Sequence, residues 1–303
     1  MDRLEAMTVF RAAVDSGSLS AAGRQLGMPL ATVSRKISEL EAQLRTRLMH
    51  RSTRKLTLTD AGRNYLSACR RILEDVDEAE RTAAGEYSAP RGELIVTAPI
   101  VFGRLHVLPI VAGFLRAYPE VDVRLMLGDQ IFHLLDDHVD LAIRIGELPD
   151  SNLVATRLGD VRQVACASPA YLAARGIPQH PRELGAHDCV TFAGLMAADA
   201  WTFRVDDEDI SVPVHSRLVV NTADAAIEAA IDGAGITRAL SYQIAAARAR
   251  GALDVVLDTF EPAPRPVSLV YAERGRLPLK LRAFIDFATT RLRDGLANAT
   301  RGP

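Results

Sequence analysis

The chain has 303 residues, 48% of them hydrophobic, enough for two or three domains with cores of their own. No apolar run approaches the roughly 18–20 residues that span a bilayer, and three scattered cysteines, Cys69, Cys166 and Cys189, exclude a disulfide framework and a CxxC metal centre. The net charge of −2 hides an asymmetry: residues 1–60 carry ten Lys and Arg against six Asp and Glu, a formal +4, while residues 61–303 carry 26 against 32, a formal −6. A basic block on an acidic chain is the composition of a phosphate-binding module attached to something else.

At the N-terminus Leu4, Met7, Phe10 and Val14 recur as one helix face over residues 3–15 instead of forming a continuous secretory segment, so the expected compartment is the cytoplasm. Residues 18–54 then read as two helices meeting at a turn. Ser18 or Ser20 caps the first, whose apolar face is Ala21, Ala22 and Leu26, and Gly27 permits the left-handed residue that ends it. Pro29 suits the first turn of the second helix. There Val33, Ile37, Leu40, Leu44 and Leu48 form a stripe that must face the domain core. The opposite face carries Ala31, Thr32, Ser34, Arg35 and Ser38, small residues and donors suited to base edges and phosphates. A plain amphipathic hairpin with a solvated basic face satisfies the same spacing; the local positive charge favours the DNA reader. The Thr-rich alternation from His50 to Thr59 suits a two-stranded wing with Arg51, Arg54 and Lys55 directed at the phosphate backbone.

From Thr59 a long helix is expected towards Tyr87, capped by Thr59 or Asp60. Tyr65, Cys69, Ile72, Val76, Ala79 and Ala83 keep the four-three rhythm of a coiled-coil seam, which points to dimerisation, with packing on the chain's own domains as the alternative. Ser88-Ala89-Pro90-Arg91-Gly92 breaks the helix and marks a hinge. Alternation follows: strands at 93–97, 121–127 and 140–145 with helices at 102–117 and 131–138 predict βαβ units and a parallel sheet. Segments 153–158 and 161–167 are extended, and Ser168-Pro169 caps a helix. Residues 189–192, 201–205 and 218–220 read as strands, with Trp201 and Phe203 as core. Thr222 opens a helix through Ile231, 236–240 is extended, and segments 241–250, 253–257 and 267–271 lead to a last helix over 278–293.

Several of these runs carry a resemblance. Phe10, Gly17-Ser18-Leu19-Ser20-Ala21-Ala22, Leu26, Val33-Ser34, Ile37, Leu40-Glu41, Leu44, Leu48, Arg51, Thr57-Leu58-Thr59 and Ala61-Gly62 resemble the N-terminal domain of LysR-type transcriptional regulators. Thr97-Ala98-Pro99, residues 140–146, residues 168–172 and Gly233-Ala234-Gly235-Ile236 extend the likeness over nearly the whole chain. Arg45 stands where the family usually has Gly, and Leu30 where it often has Gln. The resemblance implies a winged helix-turn-helix over 1–60, a dimerising linker helix and hinge over 61–91, and a two-lobed sensor over 92–303 similar to periplasmic solute-binding proteins. Lobe I is placed at about 92–163 and 267–293, and lobe II at about 164–266. It further implies a double-stranded DNA operator, a homodimer assembling into a homotetramer, and a small-molecule effector between the lobes.

In open α/β sheets ligands bind beyond the carboxyl ends of strands. Thr97, Ala98, Pro99, Asp129, Gly146, Asn221, Thr222 and Gly235 lie at such strand–helix turns and are the expected effector-binding set. Free N–H groups there favour an anion such as a carboxylate; Asp129 argues the other way, and each polar residue also has a plain helix-cap reading. No catalytic or cofactor motif is legible. His133 and His138 are five apart, roughly 140° off one helix face, so they form no metal pair, and 233–238 lacks the third glycine of a dinucleotide fingerprint. No GxSxG, HExxH or phosphate-binding loop is present. The expectation is therefore a transcriptional regulator, neither enzyme nor metalloprotein. A ligand-independent architectural DNA-binding protein, or a solute-binding protein or enzyme with a similar cleft, are the competing classes.

Overall fold

Caps lay down the three N-terminal helices. The description rests on a computed structural model covering residues 2–51, 56–83, 89–129, 139–149, 153–194, 199–272 and 277–300. Helix α1, Arg3–Asp15, starts at Asp2, whose carboxylate accepts from the Leu4 and Glu5 N–H groups. Helix α2, Leu19–Leu26, starts at Ser18, whose hydroxyl accepts from the Ala21 N–H, and stops at Gly27 in the left-handed region at φ 64°. Pro29 occupies the N-cap position of α3, Leu30–Leu44, one residue before the first turn expected for it.

The stripe predicted to run on through Leu48 ends earlier. Arg45 takes the left-handed conformation at φ 51° and stops α3, leaving Leu44 partly exposed. The reversed chain then returns Leu48 and Met49 to the core of Val9, Phe10, Ala22, Val33, Ile37 and Leu40. A glycine would take that cap without the cost of about 1 kcal/mol that a Cβ imposes there, which gives the family's usual glycine its physical reason.

Strands β1, Met49–Arg51, and β2, Leu56–Leu58, pair antiparallel with Met49 opposite Leu58. The wing tip with Arg54 and Lys55 lies outside the described residues. Helix α4, Asp60–Ala83, is capped by Thr59, whose hydroxyl accepts from the Gly62 N–H and donates to the Arg47 carbonyl at 2.8 Å. A Cβ on Gly62 would stand 1.8 Å from the Leu48 carbonyl oxygen. Only glycine lets α4 pass this close to the wing.

Contacts divide the chain after Gly92. In the second unit, β3 (Gly92–Ala98) leads into α5 (Ile100–Phe102), a π-helical turn over Gly103–Val107 and α6 (Leu108–Ala117). Pro109 has no N–H to donate, so the regular ladder is interrupted where the turn widens. The whole stretch Ile100–Ala117 is long and apolar enough to cross a membrane by length and composition, contrary to the expectation that no such run exists. Its buried residues Val101, Phe102, Val107, Val111 and Phe114 instead fill the core beneath a sheet.

That sheet has the order β4-β3-β5-β14-β6, with β4 at Val121–Leu127, β5 at Leu141–Ile145 and β6 at Leu153–Val161. The chain crosses at Arg162 into β7 (Gln163–Ala167), α7 (Pro169–Arg175), β8 (Asp188–Phe192), the hairpin β9–β10 (Ala200–Val205, Glu208–Pro213) and β11 (His215–Val220). Then come α8 (Ala223–Ile231), β12 (Ile236–Leu240), α9 (Ser241–Ala249) and β13 (Asp254–Val256). The second sheet is ordered β11-β8-β12-β7-β13. Strand β14 (Arg265–Ala272) returns to the first sheet, and α10 (Leu279–Thr300) covers it, running further than the 278–293 expected.

Both sheets are mixed, which corrects the parallel expectation. Strand β3 is parallel to β5, but β14 comes back from the second lobe and can enter only antiparallel, between β5 and β6. In lobe II, β8, β11 and β12 are parallel, β7 opposes them, and β13, antiparallel to β7, runs in their direction. Strand β10 was missed from sequence; Asp206 and Asp207, both at positive φ, make the two-residue turn that pairs it with β9. Trp201 and Phe203 are core as expected. All three cysteines are buried, and burial pushes their thiols up, Cys69 to about 11 and the others to about 12. The helix expected at 131–138, with His133 and His138, lies outside the described residues.

Candidate functional site

Two regions gather the predicted residues. In the N-terminal unit, Ala31, Arg35 and Ser38 lie exposed on α3, with Thr32 and Ser34 half-buried beside them. The Arg35 guanidinium pairs with Glu39 one turn on at 2.6 Å, and its side chain is 62% exposed. An ion pair that open contributes little and exchanges readily for a phosphate or base edge. Ser38 donates to the Ser34 carbonyl at 2.9 Å. Ser18 is committed to capping α2, while Ser20 is exposed next to it. Glu41, part of the family resemblance but given no role from sequence, accepts from the Leu48 and Met49 N–H groups at 2.8 and 3.2 Å and ties the wing to α3.

On α4 the predicted seam divides. Tyr65 packs on Phe10 with ring centroids 5.7 Å apart, and Cys69 is fully buried in the head's own core. Ile72 and Val76 are half-buried, and Ala79 and Ala83 are exposed. The first two positions thus serve the domain that carries them.

In the second unit the carboxyl edges of the two sheets face each other. Arg104, just after β3, pairs with Asp224 in the first turn of α8 at 3.2 Å. Phe102 and His106 meet Tyr242 of α9 edge-on at 5.4 Å each. Ser241 donates its N–H to the Arg162 carbonyl at the crossing. One apolar cluster runs through from Val101 and Phe102 to Phe192, Ala226 and Leu240.

The expected effector residues separate by role. Thr97 is fully buried at the end of β3, and among the described residues its hydroxyl has no hydrogen-bond partner. Ala98 is core, and Pro99 holds the N-cap position of α5. Asp129 accepts from the Ile100 N–H at 3.1 Å, and Thr222 accepts from the Ala225 N–H, so both are helix caps. Gly146 ends β5 on the same edge as Thr97, and Asn221 is exposed at the end of β11. Gly235 lies at the opposite end of its sheet, beside Asp188 at the start of β8. A Cβ there would stand 2.3 Å from the Asp188 carbonyl oxygen, so strand packing explains this glycine.

Sequence reasoning missed three residues of this region. His106, Tyr242 and Arg238 each have a buried polar atom without a partner among the described residues. A detectable signal existed only for Arg238, a charge inside the apolar strand Ile-Thr-Arg-Ala-Leu.

Burial lowers the pKa of His106 below its ordinary 6.5. Between that lowered value and 6.5 the unfolded chain binds more protons than the folded one. The contribution is therefore complete above 6.5 and is lost as pH falls through the folded value. Melting temperature measured from pH 7.5 downward is expected to drop below about 6.5, and His106→Leu is expected to flatten part of that drop. The remainder belongs to groups such as His187, whose pKa burial also lowers. An identical slope in both proteins would sink the assignment.

Known proteins share this organisation. Residues 4–63 match the family of bacterial regulatory helix-turn-helix proteins, lysR family, and residues 88–293 match the LysR substrate binding domain. The HTH-type transcriptional activator AaeR of Escherichia coli is 33% identical over 95% of this chain and 94% of its own. An HTH-type transcriptional regulator of Xanthomonas campestris pv. campestris is 35% identical over 94% and 84%. Among solved structures, CrgA of Neisseria meningitidis, a LysR-type transcriptional regulator, superposes with a TM-score of 0.61 at 31% identity over 97% and 99% of the two chains. The full-length Vibrio cholerae virulence activator AphB gives 0.61 at 28% over 94% and 98%. The chain belongs to the LysR family and is a LysR-type transcriptional regulator with a helix-turn-helix head and an effector-binding domain.

Proposed function

We propose that this regulator reads a specific double-stranded operator through α3 and changes its hold on that operator when a small molecule occupies the cleft between the two sheets. In this reading Ala31, Thr32, Ser34, Arg35 and Ser38 approach base edges, Ser20 and the N-terminus of α2 meet a phosphate, and Arg51, Arg54 and Lys55 of the wing meet phosphates across a groove. Its work is regulatory and not catalytic, and is carried out on DNA in the cytoplasm. The observation that carries the ligand part is the Thr97 hydroxyl, buried and without a partner among the described residues, at the strand edge that faces the other lobe. A buried hydroxyl left unmade costs free energy that a bound ligand recovers.

Arg35→Ala is expected to weaken specific binding by about 1–3 kcal/mol, whereas Arg54→Ala weakens cognate and random duplexes alike and lowers the salt slope. Binding isotherms on both duplexes across a salt series decide this; two variants that bind like the parent would remove α3 and the wing from the interface.

Dimerisation through the outer part of α4 supplies two heads to one operator. With Tyr65 and Cys69 turned inward, the proposed seam reduces to Ile72, Val76, Ala79 and Ala83. Placing Asp at both 72 and 76 buries unpaired charge in that seam. Sedimentation of this double variant is expected to show smaller species and lost operator binding; a dimer that survives dilution refutes the seam.

The cleft is tested by a metabolite screen read out as altered operator binding, followed by titration of the active compound. Thr97→Val keeps the shape and removes the hydroxyl, so the effector concentration needed is expected to rise about tenfold or more. Asn221→Ala, at the facing edge, is expected to do the same. Parental response in both variants would move the site elsewhere.

A further inference from the structure

Arg162 is the one residue between β6, the edge strand of the first sheet, and β7 in the second. Its neighbours each belong to a ladder: Val161 pairs with Arg265 of β14, and Gln163 pairs with Leu240 of β12. The backbone of Arg162 itself turns to α9. Its carbonyl accepts from the Ser241 N–H at 2.8 Å, and its N–H donates to the Ser241 hydroxyl at 3.3 Å. The next residue, Tyr242, meets Phe102 and His106 of the first lobe. The residue at which the chain changes lobes is therefore bonded to the helix that carries the contact across the cleft.

The return crossing is built differently. Glu261 follows the short turn Asp258–Phe260 in extended backbone, φ −61° and ψ 137°, and leads through Pro262, Ala263 and Pro264 into β14. Proline fixes its own φ and keeps the residue before it extended, so this crossing is a stiff strap. Arg162 ties the two crossings together: its Nη1 donates to both Glu261 carboxylate oxygens, at 3.1 and 3.2 Å. The Glu261 side chain is only 11% exposed, against 46% for Arg162. A carboxylate so shielded is little screened by salt and depends on its partner. Burial pushes the Glu261 carboxyl above its ordinary range; Arg162 opposes that, Asp258 adds to it, and Arg238 of β12 counters it.

We propose that Arg162 is the positioning residue of the sensor: with Glu261 it locks the two crossings into a single interlobe hinge, and through Ser241 that hinge holds Tyr242 against the first lobe. This rests on the reading of the cleft as the effector site and assigns its closure a pivot. Crossings that moved independently would let Tyr242 part from Phe102 without disturbing the strands. Locked together, the cleft contact and the hinge open as one.

The test needs no effector. Amide hydrogen exchange is followed by mass spectrometry on the full-length protein for the parent, Arg162→Met, Glu261→Gln and the double variant. Arg162→Met keeps an apolar stem and loses the charge. It is expected to speed exchange at least about tenfold over residues 241–245 and, across the cleft, over 100–107, while α1 to α3 and β8 keep the parent's rate. Glu261→Gln is expected to do less, because it leaves a half-exposed guanidinium that water solvates instead of a shielded carboxylate beside Asp258. For the same reason the double variant is expected to exchange more slowly than Arg162→Met. A pH profile separates this from plain loss of packing. Without Arg162 the Glu261 carboxyl rises further, so the folded variant binds more protons than its unfolded chain. Its melting-temperature deficit against the parent is therefore expected to shrink as pH falls from about 7.5 towards about 5, and the double variant is expected to lack that trend. Faster exchange confined to residues near 162 and 261, with 100–107 unmoved, makes the pair a local contact and overturns the proposal. So does a rise spread over every peptide, a double variant no slower than Arg162→Met, or no change at all. The cleft reading is judged separately by the ligand titration. A hinge that behaves as expected, beside Thr97→Val and Asn221→Ala proteins with parental response, keeps Arg162 and discards the ligand site.

Discussion

Tyr242 set edge-on against Phe102 and His106 is the contact on which the sensor depends. Aromatic pairs of this geometry contribute beyond the area they bury. Here they fasten the turn after the first strand of one sheet to the start of a helix on the other. The lobes are also joined by the crossings at Arg162 and Arg265, by the apolar cluster that runs from Val101 to Phe192, Ala226 and Leu240, and by the exposed Arg104–Asp224 pair, which is worth little in water. Because the contact lies at the carboxyl edges of both sheets, any change in lobe spacing is felt where free strand-end polar groups gather. Thr97, His106, Arg238 and Tyr242 each have a buried polar atom without a hydrogen-bond partner among the described residues.

The head obeys a different constraint, the close approach of α4 to the wing at Leu48. Gly62 admits the Leu48 carbonyl, Thr59 binds both the start of α4 and the Arg47 carbonyl, and Glu41 holds the Leu48 and Met49 N–H groups. Three family-like positions thus converge on one backbone segment. Together they set the angle at which the wing leaves the helix-turn-helix. The arrangement also uses the inner part of α4, Tyr65 and Cys69, as head core.

Much of this was legible in the sequence because it is local. Caps at Ser18, Gly27 and Thr59, the apolar spacing of α3 up to Leu40, and the strand–helix alternation after Gly92 are each decided within a few residues, by backbone sterics and by the period of the side chains. So were the buried cysteines, the core roles of Trp201 and Phe203, and the family itself. What the tertiary structure decided is what depends on partners distant along the chain. A four-three stripe cannot say whether Cys69 faces its own domain or another copy. A strand-end acid cannot say whether it caps a helix 29 residues away, as Asp129 does for Ile100. Nor can a glycine pair show that Gly235 belongs to strand packing against Asp188. The direction of β14 followed from its return across the lobes. Sequence spacing specifies which face a side chain takes, but only folding specifies what that face meets.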